Sequence, residues 1–295
     1  MIPAAFDYVR PASLEEACHV LATTGEEAKV LAGGQSLLPL LRLRLAYPSV
    51  LVDLGRLPEL HGVQDRGDHV FIGALTTHDE VMRSPVIREH VPLVALATAT
   101  VADPAVRHRG TFGGSLAHAD PAGDLPAVAL ALGCVFVTRM TGGQREIPAS
   151  DFFVDYLESA LDPGEVLVGV QVPKLGAGWG FHYEKFHRTA QAWAIVGVAA
   201  AVRTEGGAIS EARVGLTNMG STPVRASAVE AALRGAPSPA PDGNGASNGG
   251  HDPVRDACGE AADDTSPPAD LHATSDYRRH LARVLTYRAV RAAST

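Results

Sequence analysis

The sequence predicts an α+β fold in two parts, and three observations carry that reading. Residues 1–175 alternate short apolar strands with helical segments, whereas residues 176–295 hold strand-like runs followed by helices. Hydrophobic residues are 46% of a 295-residue chain, enough for a sizeable core and about two domains. Aromatics are only 5%, so alanine, valine and leucine must fill that core.

A helix is predicted over 13–25. Ser13 can cap it, Glu15 and Glu16 suit its first turn, and Gly25 follows its end. Leu14, Ala17, Cys18 and Leu21 supply its apolar stripe. Residues 29–32 then read as a strand, followed by a glycine turn and a second apolar segment at 37–45. Residues 50–54 and 70–74 read as strands, the latter after the turn-prone Asp65-Arg66-Gly67-Asp68. The Ala/Thr-rich stretch 91–101 reads as a buried helix, 124–132 as another, and 135–137 as a strand. Beyond Pro173, residues 179–185, 195–202 and 214–217 read as strands, with helices near 223–234 and 275–292. Residues 235–250 (GAPSPAPDGNGASNGG) lack core residues and predict a flexible loop over 235–252.

Composition excludes several classes. A net charge of -8 is the opposite of a nucleic-acid footprint. No apolar run approaches the roughly 20 residues that span a bilayer. The opening residues carry no basic n-region, so a cytoplasmic protein is expected. Cys18, Cys134 and Cys258 form no C-x-x-C pair, so an iron–sulfur cluster held by four thiolates is unsupported; buried, inert thiols are expected. Lysine is scarce: Lys29, Lys174 and Lys185 are the only three.

Two glycine turns stand out as candidate anion sites: Ala32-Gly33-Gly34-Gln35-Ser36, directly after a strand, and Thr111-Phe112-Gly113-Gly114-Ser115. Adjacent glycines let the backbone approach an anion and turn successive N–H groups toward it. Ser36, Thr111 and Ser115 add hydroxyls, and a pyrophosphate is the natural target of two such loops. A Gly-Gly pair alone is more often only a turn, and Gly142-Gly143 is read that way. Neither loop matches G-x-G-x-x-G or a P-loop. His118, Asp120 and Asp124 match no zinc or calcium spacing, so no metal is expected. Asp124 opens a predicted helix, which suits an N-cap or a ribose contact. His182 and His187 flank Lys185 and read as solvated or locally bonded. Trp193 is either core packing or a flat face for a cofactor ring. No G-x-S-x-G elbow, H-E-x-x-H or kinase signature is present, so no catalytic residue is assigned.

The chain resembles the FAD-binding medium subunit of the molybdenum hydroxylases, the group of xanthine dehydrogenase and aerobic carbon monoxide dehydrogenase, and most resembles the latter. The residues that carry this are Phe6-Asp7-Tyr8, Leu31-Ala32-Gly33-Gly34-Gln35-Ser36-Leu37-Leu38-Pro39, Leu51-Val52-Asp53-Leu54 and Ile72-Gly73-Ala74-Leu75-Thr76-Thr77. They continue in the block Ala102-Asp103-Pro104 through Arg109-Gly110-Thr111-Phe112-Gly113-Gly114-Ser115, in Asp120-Pro121-Ala122-Gly123-Asp124-Leu125-Pro126-Ala127, and in Tyr183-Glu184-Lys185-Phe186 and Gly215-Leu216-Thr217-Asn218.

The resemblance implies a vanillyl-alcohol-oxidase-type (PCMH-type) FAD-binding fold. Two α/β subdomains, about 1–57 and 58–175, would hold FAD. A C-terminal domain, 176–295, with a three-stranded antiparallel sheet and helices would cover it. Ala32, Gly33, Gly34, Gln35, Ser36 and Leu37, with Thr111, Gly113, Gly114 and Ser115, would form the pyrophosphate loops. Asp124, Leu167 and Lys185 would contact the cofactor, and Trp193 would lie beside the isoalloxazine. Gln35 stands where a His is frequent, Ser115 where Asn is, Trp193 where some relatives have Tyr, and Ala192 where Asp is common.

In function, the resemblance implies one part of a three-protein oxidoreductase. A large subunit with a molybdenum cofactor oxidises substrate. A small iron–sulfur subunit relays electrons through two 2Fe-2S clusters. This chain receives them on FAD and passes them to a quinone. Carbon monoxide is the expected substrate, with xanthine-, nicotine- and aldehyde-type hydroxylases as alternatives. A dimer of heterotrimers, cytoplasmic and reaching the inner face of the cell membrane only through its acceptor, is the expected assembly. A stand-alone flavin oxidase and a flavin-free scaffold are the readings from other classes.

Overall fold

The computed structural model describes residues 2–239 and 252–294. Strands β1 (Asp7–Val9), β2 (Ala28–Leu31) and β3 (Val50–Asp53) form a parallel sheet in the order β1-β3-β2. The predicted first helix is Leu14–Thr24. Ser13 caps it by accepting the Glu16 N–H at 3.1 Å, and Gly25 ends it at φ 66°. Its apolar stripe joins Val52, Leu54 and Val166 in one buried cluster. The apolar run at 37–45 becomes the helix Leu37–Leu43, closed by Arg44 in the left-handed region.

A second sheet is wholly antiparallel. It uses β4 (Val63–Asp65), β5 (His69–Gly73), β6 (Val135–Met140) and β7 (Gly143–Pro148); a separate hairpin, β8 (Phe153–Asp155) and β9 (Glu158–Ser159), leads to its last strand, β10 (Val166–Pro173). The order is β4-β5-β10-β6-β7. Gly142, with φ 85°, makes the tight turn between β6 and β7, as expected. Helices Pro92–Ala99 and Asp124–Leu132 cover the central core, matching the predicted segments. The few aromatics concentrate here: Phe136 and Phe152 stack at 3.7 Å, with Phe153 edge-on.

The third sheet contains β11 (Trp179–Phe186), β12 (Val196–Glu205) and β13 (Ala208–Thr217), all antiparallel. To the three expected strands it adds a two-residue edge, β14 (Val224–Arg225). The helix expected from 223 therefore begins only at Ser227, because Val224 and Arg225 pair with Leu216 and Gly215 instead. Most of the expected loop over 235–252, residues 240–251, lies outside the described residues; at its edges the Ile209 N–H donates to the Ala236 carbonyl at 2.8 Å, and Asp252 caps a helix, Pro253–Cys258.

Strand β12 explains how the sheets join. Its alternation sends side chains into two cores. Val196, Val198, Ala200 and Val202 enter a core with the long helix Ser275–Ala293, while Ala199 and Ala201 join the central core beside the Asp124–Leu132 helix. Gly215 on β13 continues that shallow face: a Cβ there would overlap the Ala127 carbonyl oxygen and come within 3.3 Å of the Ala131 Cβ. Gly215→Ala is therefore expected to destabilise by about 1–3 kcal/mol, because backbone must shift. Chemical denaturation of the purified variant measures this.

Candidate functional site

A cleft of about 970 Å³ is lined by β2 of the parallel sheet, by segments within 101–118 and 157–163, and by Lys185 of β11 with Gln191, Ala192 and Trp193. Its floor is made by the two glycine loops. The first leaves the carboxyl end of β2, the end of a parallel strand where ligand crevices form. Gly34 turns the chain with φ 74°. The second loop opens the short helix Phe112–Ala117, where the Thr111 hydroxyl accepts the Gly114 N–H at 3.2 Å.

The loops touch directly. A Cβ on Gly33 would overlap the Arg109 carbonyl oxygen and lie 2.8 Å from the Gly110 Cα. Gly33 thus serves loop-to-loop packing as well as flexibility. Gly113 is similar: a Cβ would lie 2.5 Å from that of Ala74, and its N–H donates to the Ala74 carbonyl at 2.9 Å.

The hydrogen-bond pattern separates the two loops, and this corrects the symmetrical expectation from sequence. Among the described residues, the main-chain N–H groups of Gly33, Gly34, Gln35 and Ser36 donate to no protein acceptor. In the second loop, Phe112, Gly113, Gly114 and Ser115 all donate within the protein, to Thr76, Ala74, Thr111 and Thr111. Strand-like pairing with 74–77 consumes the amides of Phe112 and Gly113, and the helix cap at Thr111 consumes those of Gly114 and Ser115. The first loop therefore offers four backbone donors, and the second offers the Thr111 N–H with the hydroxyls of Thr111 and Ser115.

In the same cleft, Lys185 donates to Asp124 Oδ2 at 2.7 Å and to the Thr100 carbonyl at 3.0 Å. Both side chains are buried, at 3% and 4% exposure. Tyr183 donates to the other carboxylate oxygen at 2.7 Å. Burial pushes the Asp124 carboxyl up, and the Lys185 ammonium pulls it back. Asp124 is not the N-cap expected from sequence: Gly123 holds that position, and the carboxylate turns inward because two buried donors claim it. Trp193 is not core packing either. It is 52% exposed and lines the cleft with Gln191 and Ala192.

Of the other predicted residues, Ala32, Gln35, Ser36, Leu37 and Gly114 line the same cleft. Gln35 Nε2 donates to the Gly33 carbonyl at 3.2 Å and so braces its own turn. Leu167 and Gly113 lie instead beside a smaller depression behind the loops, with Leu75 and Leu54. His182 bonds Glu184, and the His187 ring bonds the Thr189 carbonyl, as locally bonded histidines do. All three cysteines are buried free thiols.

Three lining features escaped the sequence reading. Lys29 lies on β2 next to the first loop; its scarcity was the only available signal. Ala102 lines the cleft with φ 43°, and the Arg107 guanidinium holds the carbonyls of Val101 and Ala102 at 2.8 and 3.0 Å. Non-glycine residues in this region are uncommon and gather at functional sites. His78 also lines the cleft, packed under Gly110, with its Nδ1 buried and unpaired. No sequence motif marks it.

A cleft with free backbone amides, hydroxyls and a buried lysine suits an extended, anionic nucleotide cofactor, held between two lobes and covered by a third sheet. Comparison with known proteins specifies the class. A family described as the FAD binding domain in molybdopterin dehydrogenase matches residues 4–175, and one described as the CO dehydrogenase flavoprotein C-terminal domain matches residues 181–293. The carbon monoxide dehydrogenase medium chain of Hydrogenophaga pseudoflava is 37% identical, covering 99% of this chain and 98% of that one. A 6-hydroxypseudooxynicotine dehydrogenase complex subunit alpha from Paenarthrobacter nicotinovorans is also 37% identical, covering 98% and 94%. A solved structure of the H. pseudoflava carbon monoxide dehydrogenase, lacking the Mo-pyranopterin moiety, superposes with a TM-score of 0.92 at 40% identity over 99% of this chain and 98% of that chain. The chain belongs to the family of FAD-binding medium subunits of the molybdenum hydroxylases.

Burial, then the Arg107 charge, push the His78 imidazole down to about 4 from its ordinary 6.5. Its folded form thus rejects a proton that the unfolded chain binds. The stability it contributes is present above pH 6.5 and is lost as pH falls toward 4, at about 1.4 kcal/mol per pH unit. His78→Asn is expected to flatten this acid limb. Unfolding curves of both proteins between pH 6.5 and 5 check the sign and slope.

Proposed function

We propose that the chain is the FAD-binding, electron-transferring medium subunit of an aerobic, molybdenum-containing carbon monoxide dehydrogenase. The observation that carries the reading is the pair of touching glycine loops, one with four undonated amides, at the floor of a cleft that also holds Lys185 and Asp124. The near-complete match to carbon monoxide dehydrogenase medium chains supports it. Residues 1–175 would be the FAD-holding unit, with halves meeting near residue 57, and 176–295 its cover.

The residues fit the cofactor. The amides of Gly33, Gly34, Gln35 and Ser36 would face the pyrophosphate, with Thr111 and Ser115 hydroxyls from the other loop. Ala32, Leu37 and Gly114 would shape the same channel, while Gly113 and Leu167 would support it from behind. Lys185 would set a positive charge beside the ring system, held in place by Asp124 and Tyr183. Trp193 would offer an aromatic face at the cleft mouth. When bound, FAD supplies the redox chemistry, and the protein supplies position and electrostatics. Electrons would arrive from a small subunit with two 2Fe-2S clusters, fed by a large molybdenum-cofactor subunit, and leave to a quinone. A dimer of heterotrimers in the cytoplasm, meeting the membrane through its acceptor, is the assembly this implies. No helix of the described residues is long and apolar enough to cross a membrane.

The 6-hydroxypseudooxynicotine dehydrogenase subunit reaches the same 37% identity, so a nicotine-type molybdenum hydroxylase is the second reading. Dye-linked assays of the complex co-purified with its large subunit, with carbon monoxide or nicotine-type substrates, separate the two.

Reconstitution tests the cofactor. The wild-type chain is expected to take up one FAD and show flavin absorption bands. Gly33→Ala is expected to weaken uptake at least about tenfold, roughly 1.4 kcal/mol, because the side chain would force the two loops apart. Equilibrium titration of the apoprotein with FAD measures it. Lys185→Ala is expected to make the bound flavin's reduction potential more negative, since a positive charge beside the reduced ring is lost. Removing one partner of a buried pair should also cost about 3–5 kcal/mol of stability. Spectroelectrochemistry and unfolding curves read the two effects, and unchanged affinity and potential would refute the role of Lys185.

A further inference from the structure

We infer that Asn218 and Arg278 are positioning residues that hold Trp193 at the mouth of the cleft. The inference rests on the reading that the cleft holds FAD. Trp193 sits near the end of a strap that leaves β11 at Phe186 and re-enters β12 at Val196. The strap is pinched shut where the Ile195 N–H donates to the Phe186 carbonyl at 2.8 Å. On the cleft side, the Gln191 side-chain amide donates to the Asp103 carboxylate, upstream of the second glycine loop.

The two residues after Trp193 are treated very differently from it. Trp193 is half-exposed, whereas Ala194 and Ile195 are buried. Their carbonyls precede the β12 ladder, so each needs another donor. Asn218 Nδ2 donates to the Ala194 carbonyl at 2.8 Å, and Arg278 Nη1 donates to the Ile195 carbonyl. Two buried side chains thus grip consecutive peptide groups next to one half-exposed indole.

Both donors are arranged for the task. Asn218 has φ 63°, a region that asparagine tolerates better than most residues. This conformation sends its N–H to the Pro121 carbonyl at 2.8 Å, while its side chain turns to Ala194. One residue therefore ties the Trp193 strap to the turn that precedes Asp124. Arg278 is 1% exposed, ion-paired to Asp270 at 2.7 Å, and projects from the long C-terminal helix. A buried arginine is a costly way to fill space, since an apolar side chain of similar volume packs there without desolvating a charge. Its planar fork reaches the carboxylate and the carbonyl together.

An indole quenches a flavin's emission when it lies against the ring, so the strap's position can be read optically. The full chain, loaded with FAD, is compared as wild type, Trp193→Phe, Asn218→Gly, Arg278→Met and the Trp193→Phe/Asn218→Gly double variant. Trp193→Phe is expected to raise bound-flavin emission several-fold. Asn218→Gly should raise it most of the way to that value, with FAD stoichiometry unchanged. Glycine accepts φ 63° without strain, so this variant keeps the backbone turn while it removes the side-chain bond. Arg278→Met is expected to act in the same direction; if Arg278→Met fails to fold, Asn218→Gly decides the matter. In the Trp193→Phe background, Asn218→Gly should add little, as coupled residues do. Emission unchanged in Asn218→Gly, or an additive effect in the double variant, overturns the inference. Wild-type protein that takes up no FAD overturns the proposed function and this inference with it; FAD taken up with emission unaltered by Asn218→Gly overturns this inference alone.

Discussion

The buried carboxylate of Asp124 is the point on which the rest of the molecule depends. It stands at the first turn of the helix that packs under the third sheet, and it meets Lys185 and Tyr183 from β11. A charge so enclosed is tolerated only with its partners present. The pair therefore ties the covering sheet to the antiparallel lobe at the edge of the cleft. Even the room for it is built in: a Cβ on Gly197 would lie 2.5 Å from the Tyr183 hydroxyl. Fold and site share one electrostatic constraint, and neither can be altered without the other.

The missing side chains of the glycines form the second constraint. Gly33 is bare because another loop's backbone passes over it, and Gly113 because Ala74 does. Both sit in the motifs that would be read as phosphate-binding, yet close packing accounts for each. The consequence for chemistry is indirect. By letting the loops touch, these glycines bring the free amides of 33–36 and the hydroxyls of Thr111 and Ser115 to one floor. A composition poor in aromatics follows the same logic. Alanine at 199 and 201 lets a helix lie close on β12, so the core is made by approach of backbones as much as by large side chains.

Much of this was legible from the residues. The first helix, with Ser13, Gly25 and its apolar stripe, follows from local rules, and so do the Asp124–Leu132 helix and the strands around it. Local signals failed where a distant partner decided. Val224 and Arg225 form an edge strand because β13 lies beside them, although the surrounding residues read as helix. Asp124 looked like a helix cap and became a buried ion-pair partner, since Lys185 lies 61 positions further along the chain. His78 carried no signal at all, because its burial under Gly110 is a product of loop packing.

By itself the sequence determined the two-part α+β plan, the glycine loops as anion candidates, and the absence of cysteine pairs that could hold a cluster. These are properties of composition, spacing and near-neighbour residues, which local sterics and periodicity govern. The tertiary structure alone decided which loop keeps its amides free, which carboxylate is buried with a lysine, and that Leu167 lies behind the loops. Those outcomes depend on hydrogen bonds and packing between segments far apart in the chain, and only the folded arrangement assigns each donor its acceptor.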